Sequence, residues 1–255
     1  MGSWQALADE AAHWREAGGA DLWWRDDDAA DGSPALDRLL ALHRATSAPL
    51  SLAIVPALAT QALADRLAAE PELDLLQHGY AHLNHATASE KKAELGPHRP
   101  AMIVLGELGT GWLALERLFG DRALKVMVPP WNRIAPALVP ALPEIGFSGL
   151  SAFGSRPRAR PVRGLVQINT HVDLIDWKSG PRFVGEAAAL AALVGALVHA
   201  RTVSREPVGM LSHHLAMDGE AWDFLKSLLE RAPTMPGLRI RPARQLFAAE
   251  LLAAQ

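Results

Sequence analysis

Apolar and polar positions along this chain follow two periods, and the switches between them divide it into units. Residues 3–17 place Trp4, Leu7, Ala8, Ala11, Ala12 and Trp14 at helical spacing, with Gly18-Gly19 as the stop. Asp21 to Arg25 forms a short strand running into Asp26-Asp27-Asp28. Ser33-Pro34 opens a helix over Ala35 to Arg44, with serine at the cap and Leu36, Leu39 and Leu40 on one face. Pro49 to Val55 is a continuous apolar strand, 58–69 a helix, and Leu73 to Leu76 a strand leading into Gln77-His78-Gly79-Tyr80-Ala81-His82. A looser polar segment, 86–100, precedes a helix from Met102 to Phe119 and a strand Leu124 to Val128 that ends at Pro129-Pro130-Trp131-Asn132-Arg133. Helix 134–143 then leads to strand Phe147 to Ser151, and Arg156 to Arg163, rich in arginine and proline, reads as a loop. Strand Leu165 to Asn169 runs into Thr170 to Trp177; helix 184–203 and strand Val208 to Leu211 follow, ending at Ser212-His213-His214. Helix 219–231, a short strand Leu238 to Arg241 and helix 243–254 come last.

Strands that are apolar throughout, alternating with helices, imply a parallel sheet covered on its faces. Seven or eight such units predict an α/β fold, a closed or nearly closed (β/α) barrel, with residues 1–255 as one domain. Five polar clusters fall just after strands: Asp26-Asp27-Asp28, His78/His82, Pro130-Trp131-Asn132, Asp173/Asp176 and His213-His214. In a parallel barrel the strand ends share one face, so residues far apart in sequence converge on a site.

Composition narrows what that site does. A net charge of −3 with no basic run argues against nucleic acid or an anionic membrane as partner. The chain has no cysteine, so a metal would be held by histidine, carboxylate or water. The apolar stretch Ala187 to Ala200 is shorter than a bilayer span and predicts a buried helix. No basic segment followed by an apolar core stands at the N-terminus, which makes a cytoplasmic protein the expectation.

His78 and His82, four residues apart, share one face if the chain turns helical there, as ligands of a single ion would. With a carboxylate they form a set suited to Zn²⁺ first, with Fe²⁺, Mn²⁺, Co²⁺ or Ni²⁺ as alternatives. Such an ion polarises a carbonyl while a carboxylate takes a proton from water and a histidine protonates the leaving group. Three consecutive aspartates in one cleft need cations among them, which Arg25 and a metal would supply. Trp131 and Trp177 at strand ends suit a sugar ring as well as simple packing.

These clusters, in this order, resemble the polysaccharide deacetylase superfamily: carbohydrate esterase family 4, with the NodB-homology domain. Arg25-Asp26-Asp27-Asp28 resembles its first motif, a base followed by a metal ligand, and His78-Gly79-Tyr80-Ala81-His82 its His-x-x-x-His motif. Val128-Pro129-Pro130-Trp131-Asn132 resembles the third, Asp173 to Trp177 the fourth, and Met210-Leu211-Ser212-His213 the fifth. The resemblance implies a distorted (β/α)7-8 barrel, metal ligands Asp28, His78 and His82, and a single-domain metal-dependent deacetylase acting on a small-molecule or carbohydrate substrate. Val128 stands where the family carries a base-orienting arginine, so the match is to a divergent branch. Arg25 and Asp27 share a strand face, which makes Asp27 the expected base; Asp26 as base with Asp27 as ligand is the alternative register. His213 is the expected acid, with Asp176 (or Asp173) holding its imidazole. Pro130, Trp131, Asn132, Trp177 and His214 are expected to bind substrate. Cleavage of a cyclic amide or ureide C–N bond, and a catalytically silent carbohydrate-binding barrel, are the alternatives.

Overall fold

The computed structural model describes residues 2–178 and 180–252. Its framework is a parallel sheet of β1 (Ala20–Ala29), β2 (Ser51–Ile54), β3 (Asp74–His78), β4 (Ala123–Val128), β5 (Gly149–Leu150), β6 (Val166–Gln167), β7 (Thr170–Asp173), β10 (Val208–Ser212) and β11 (Leu238–Ile240). A separate hairpin pairs β8 (Ile175–Asp176) with β9 (Arg182–Phe183). Helices α1 (Trp4–Glu16), α2 (Pro34–Thr46), α3 (Gln61–Leu67), α4 (Ala101–Phe119), α5 (Glu186–His199), α6 (Gly219–Arg231) and α7 (Ala243–Leu252) connect and cover the strands. The last part of the helix expected at 243–254, residues 253–254, lies outside the described residues.

The strand order is β6-β5-β4-β3-β2-β1-β10-β7, with β11 paired to the start of β1. Only Ile168 and Asn169 separate β6, at one end of this path, from β7 at the other. The Thr170 N–H donates to Ala152 O, and Gly154 N–H to Thr170 O, so the chain after β5 meets β7 and the sheet curls into a distorted barrel. Side-chain alternation along β1 then decides which residues see the interior. Trp23 packs inside with Ala53, Leu76 and Ile168, and Leu246 and Phe247 of α7 plug that end. Leu22 and Trp24 face outward to the helical layer. Arg25 and Asp27 continue the inward set and Asp26 the outward one.

Local chemistry accounts for the helix starts. Ser3, Ser33, Thr60 and Asp218 each accept a backbone N–H three residues on, the N-cap bond that satisfies an otherwise unpaired donor. Gly209 on β10 is set by contact: a Cβ there would lie 2.4 Å from Trp23 Nε1 and 2.7 Å from Asn169 O. Gly209→Ala is therefore expected to cost about 1–3 kcal/mol through overpacking, read as a lower urea midpoint. An unchanged midpoint would contradict this packing.

Four expectations are corrected. The segment 134–143 is not an α-helix but two 3₁₀ turns, Pro136–Ala141 and Pro143–Ile145. Pro136, Pro140 and Pro143 remove the donors an α-helix needs. The single strand expected at Leu165 to Asn169 is the short β6, and the residues it runs into, 170–173, form a strand of their own, β7. The chain from His78 to His82 does not turn helical: Gly79 and His82 adopt left-handed conformations, with φ of 56° and 57°. The apolar helix at 186–204 is not wholly buried. It is long and apolar enough to cross a membrane, and 28% of its apolar window is buried, through Ala189, Leu190, Leu193, Leu197 and Ala200.

Candidate metal centre and cleft

The strand ends open into a cleft of about 370 Å³ that contains Asp27, Asp28, His78, His82, Asp173 and His213. The three aspartates that follow Arg25 have three different fates. Asp26 points outward, fully buried, with Oδ1 2.5 Å from His214 Nδ1 and Oδ2 accepting from Ser212 Oγ at 2.5 Å. Burial disfavours the His214 imidazolium, but the Asp26 carboxylate outweighs it and raises the pKa of His214. Asp26 and His214 therefore form a buried pair behind the cleft. His214 is not among the cleft residues, contrary to its expected place at the substrate.

Asp27 points inward and is gripped by Arg25, Nε to Oδ1 at 2.8 Å and Nη2 to Oδ2 at 3.0 Å. This fork-to-carboxylate pairing fixes the plane of the carboxyl group. Arg25 is itself fully buried, donating further to Asn132 Oδ1 at 2.7 Å, Ser151 Oγ at 2.6 Å and Ser151 O at 3.1 Å. A guanidinium from β1 thus stands on Asp27 where Val128 offers none. The Asn132 amide oxygen is spent on Arg25 rather than left for a substrate. Ser151 was not singled out from sequence, although it ends a strand that was expected.

Asp28 would point outward by alternation. Its φ of 74°, within a register shift between β1 and β2, turns it back into the cleft. There Oδ1 lies 3.1 Å from His78 Nε2 and 3.2 Å from His82 Nε2, and one ligand atom from each of the three residues falls within 4.8 Å of the others. Burial raises the pKa of Asp28, but the hydrogen bonds from His78 and His82 more than offset it and hold the carboxyl well below the usual carboxylate range. Burial lowers that of His78, and the charges of Asp27 and Asp28 carry the net shift upward. His78 Nδ1–H donates to Val128 O at 3.0 Å, which fixes the tautomer that directs Nε2 into the cleft. Two imidazole nitrogens and a carboxylate oxygen, oriented this way, are a donor set that fits a divalent ion.

Across the cleft His213 Nδ1 lies 3.7 Å from Asp173 Oδ1, and the Trp177 ring meets His213 edge-on at 4.8 Å. Trp177 Nε1 and the Ile175 N–H both donate to Asp173. Burial raises the pKa of the Asp173 carboxyl, with the charge of His213 opposing it. Asp176, the carboxylate first expected at His213, pairs with Arg182 on the hairpin instead. Pro130 is buried under Gly79, away from the cleft. Trp131 does line it, its ring 4.4 Å from that of His82, and Phe153 and Trp177 add two half-exposed aromatic edges. Phe153 went unnoticed because it lies beyond its strand. Among the described residues, six non-glycine residues have positive φ, and Asp28, His82, Trp131 and Asn132 are four of them. Strained backbone concentrated at one place is a mark of function.

The sequence matches no family model and no curated protein. The fold, however, is shared with solved structures along nearly its whole length. A protein described as a polysaccharide deacetylase from Mycobacterium smegmatis superposes with a TM-score of 0.69 at 15% identity, covering 93% of this chain and 92% of its own. Puue allantoinase gives 0.64 at 15%, covering 92% and 91%. A family 4 acetyl xylan esterase from Clostridium thermocellum, in complex with a cobalt ion, gives 0.56 at 12%, covering 90% and 91%. At such identities the likeness is one of fold: this chain is a distorted (β/α) barrel of the polysaccharide deacetylase type.

Proposed function

From this fold and the cleft within it, we propose a metal-dependent hydrolase that removes an acyl group, N-acetyl first, from a carbohydrate or sugar conjugate. The observation that carries the reading is the convergence of Asp28, His78 and His82 beside an Asp27 held by Arg25 and opposite His213. Asp28, His78 and His82 would hold the ion, with Zn²⁺ the first candidate. When bound, it supplies Lewis acidity at the scissile carbonyl and at the attacking water. Asp27 accepts the proton of that water, its carboxyl plane set by the Arg25 fork. His213, on the far wall, protonates the departing amine, and the Asp173 carboxylate 3.7 Å from its Nδ1 favours the charged ring. The backbone donor assigned to the developing oxyanion is the Trp131 N–H, since those of Asn132 and Arg133 are committed to Pro129 O and Pro130 O. Trp131, Phe153 and Trp177 offer apolar edges to the faces of a pyranose ring.

Acetate release from N-acetylated sugars by the Zn²⁺-loaded protein tests this reading. His213→Ala should keep the metal and lose roughly 10²–10⁴-fold in kcat, the span of a general acid. A His213→Ala enzyme with wild-type kcat would remove the assigned acid. The fold shared with an allantoinase keeps one second reading, hydrolysis of a ureide C–N bond. Turnover of ureides with no acetate release from any acetylated sugar would select it.

A further inference from the structure

Of the two imidazoles at the centre, one is rigidly mounted and the other is not. His78 ends β3 and is buried, whereas His82 sits in irregular chain with a left-handed φ of 57° and its side chain 26% exposed. Something must hold the turn between them. The Glu94 side chain, from the long loop before α4, is buried there at 1% exposure. Its Oε2 accepts from Tyr80 N–H at 3.1 Å and its Oε1 from Ala81 N–H at 2.8 Å. Successive backbone N–H groups beside a left-handed residue form an anion-binding concavity, and here the chain's own carboxylate fills it. A Cβ on Gly79 would lie 2.0 Å from Glu94 Oε2, so glycine is what lets the carboxylate approach. Among the described residues no cation is paired with Glu94; its hydrogen bonds go to the His78–His82 turn.

We propose that Glu94 is a positioning residue for the metal centre: by binding the Tyr80 and Ala81 N–H groups it locks the turn that places His82 at the ion. This rests on the metal-binding reading above and extends it to a residue 12 positions beyond His82. A carboxylate this buried is costly unless hydrogen-bonded, and among the described residues its side-chain hydrogen bonds all go to the turn between two ligands. Losing Glu94 leaves His78 and Asp28 in place and frees His82, so ion affinity and coordination geometry change while the barrel persists.

The test measures Zn²⁺ affinity by calorimetry and the visible absorption of the Co²⁺-loaded protein, for wild type, Glu94→Ala, Glu94→Gln and Glu90→Gln. Glu90 is exposed on the same loop, and its variant should match wild type. Glu94→Ala should bind Zn²⁺ roughly 10–100-fold more weakly, the usual cost of losing a group that orients a ligand, and shift the Co²⁺ spectrum. Glu94→Gln, which keeps the shape and one acceptor but turns an N–H₂ toward a backbone N–H, should fall between. If Glu94→Ala does not fold, the near-isosteric Glu94→Gln carries the test. Wild-type affinity and spectrum in every folded Glu94 variant would overturn the proposal. A wild-type protein that binds neither ion would instead overturn the metal-binding reading on which it rests.

Discussion

Replacing Arg25 with alanine should destabilise the protein by roughly 3–5 kcal/mol, the usual cost of breaking a buried ion pair from one side. Arg25 and Asp27 are both essentially inaccessible, and every guanidinium nitrogen has a partner in Asp27, Asn132 or Ser151. Deletion leaves the Asp27 carboxylate in a cavity without its counter-charge, and frees Asn132 Oδ1 and Ser151 O as unpaired acceptors. Lysine should rescue little, because a point charge cannot meet both carboxylate oxygens and Ser151 at once. Chemical denaturation reads the loss directly; a cost below about 1 kcal/mol would mean the pair is not what holds the strand ends together.

Asp28→Ala should remove metal and activity together. Asp28 Oδ1 is the atom that both His78 Nε2 and His82 Nε2 approach, so without it two imidazoles remain and the anionic donor is gone. In this environment the loss should exceed that of His213→Ala and bring turnover to background, while the fold survives because Asp28 sits at the rim. Elemental analysis and acetate release on the same preparation check both halves. A variant that kept a full complement of metal would show that the ion sits elsewhere.

The fold was largely readable because its strands are apolar runs and four of its helices carry serine, threonine or aspartate caps. What stayed hidden depended on backbone turns and on pairings distant in sequence. The pattern gives the first strand only as Asp21 to Arg25, because the apolar run ends there. It continues to Ala29 because Asp26 finds His214, Asp27 finds Arg25 and Asp28 finds two histidines. The choice between Asp173 and Asp176 turned on the β8–β9 hairpin, which carries Asp176 away to Arg182. A helical turn would have put His78 and His82 on one face. They converge through Gly79 and a left-handed His82 instead, and Glu94, which braces that turn, carries no motif of its own. Sequence spacing located the candidate site; the left-handed residues determine how it is assembled.

The most direct test of the account is the metal content of the wild-type protein after incubation with Zn²⁺ and dialysis. The account predicts one ion per chain, removed by a chelator and absent from both Asp28→Ala and His82→Ala. Wild-type protein that retains no ion would contradict it, leaving the barrel without the chemistry assigned to its cleft.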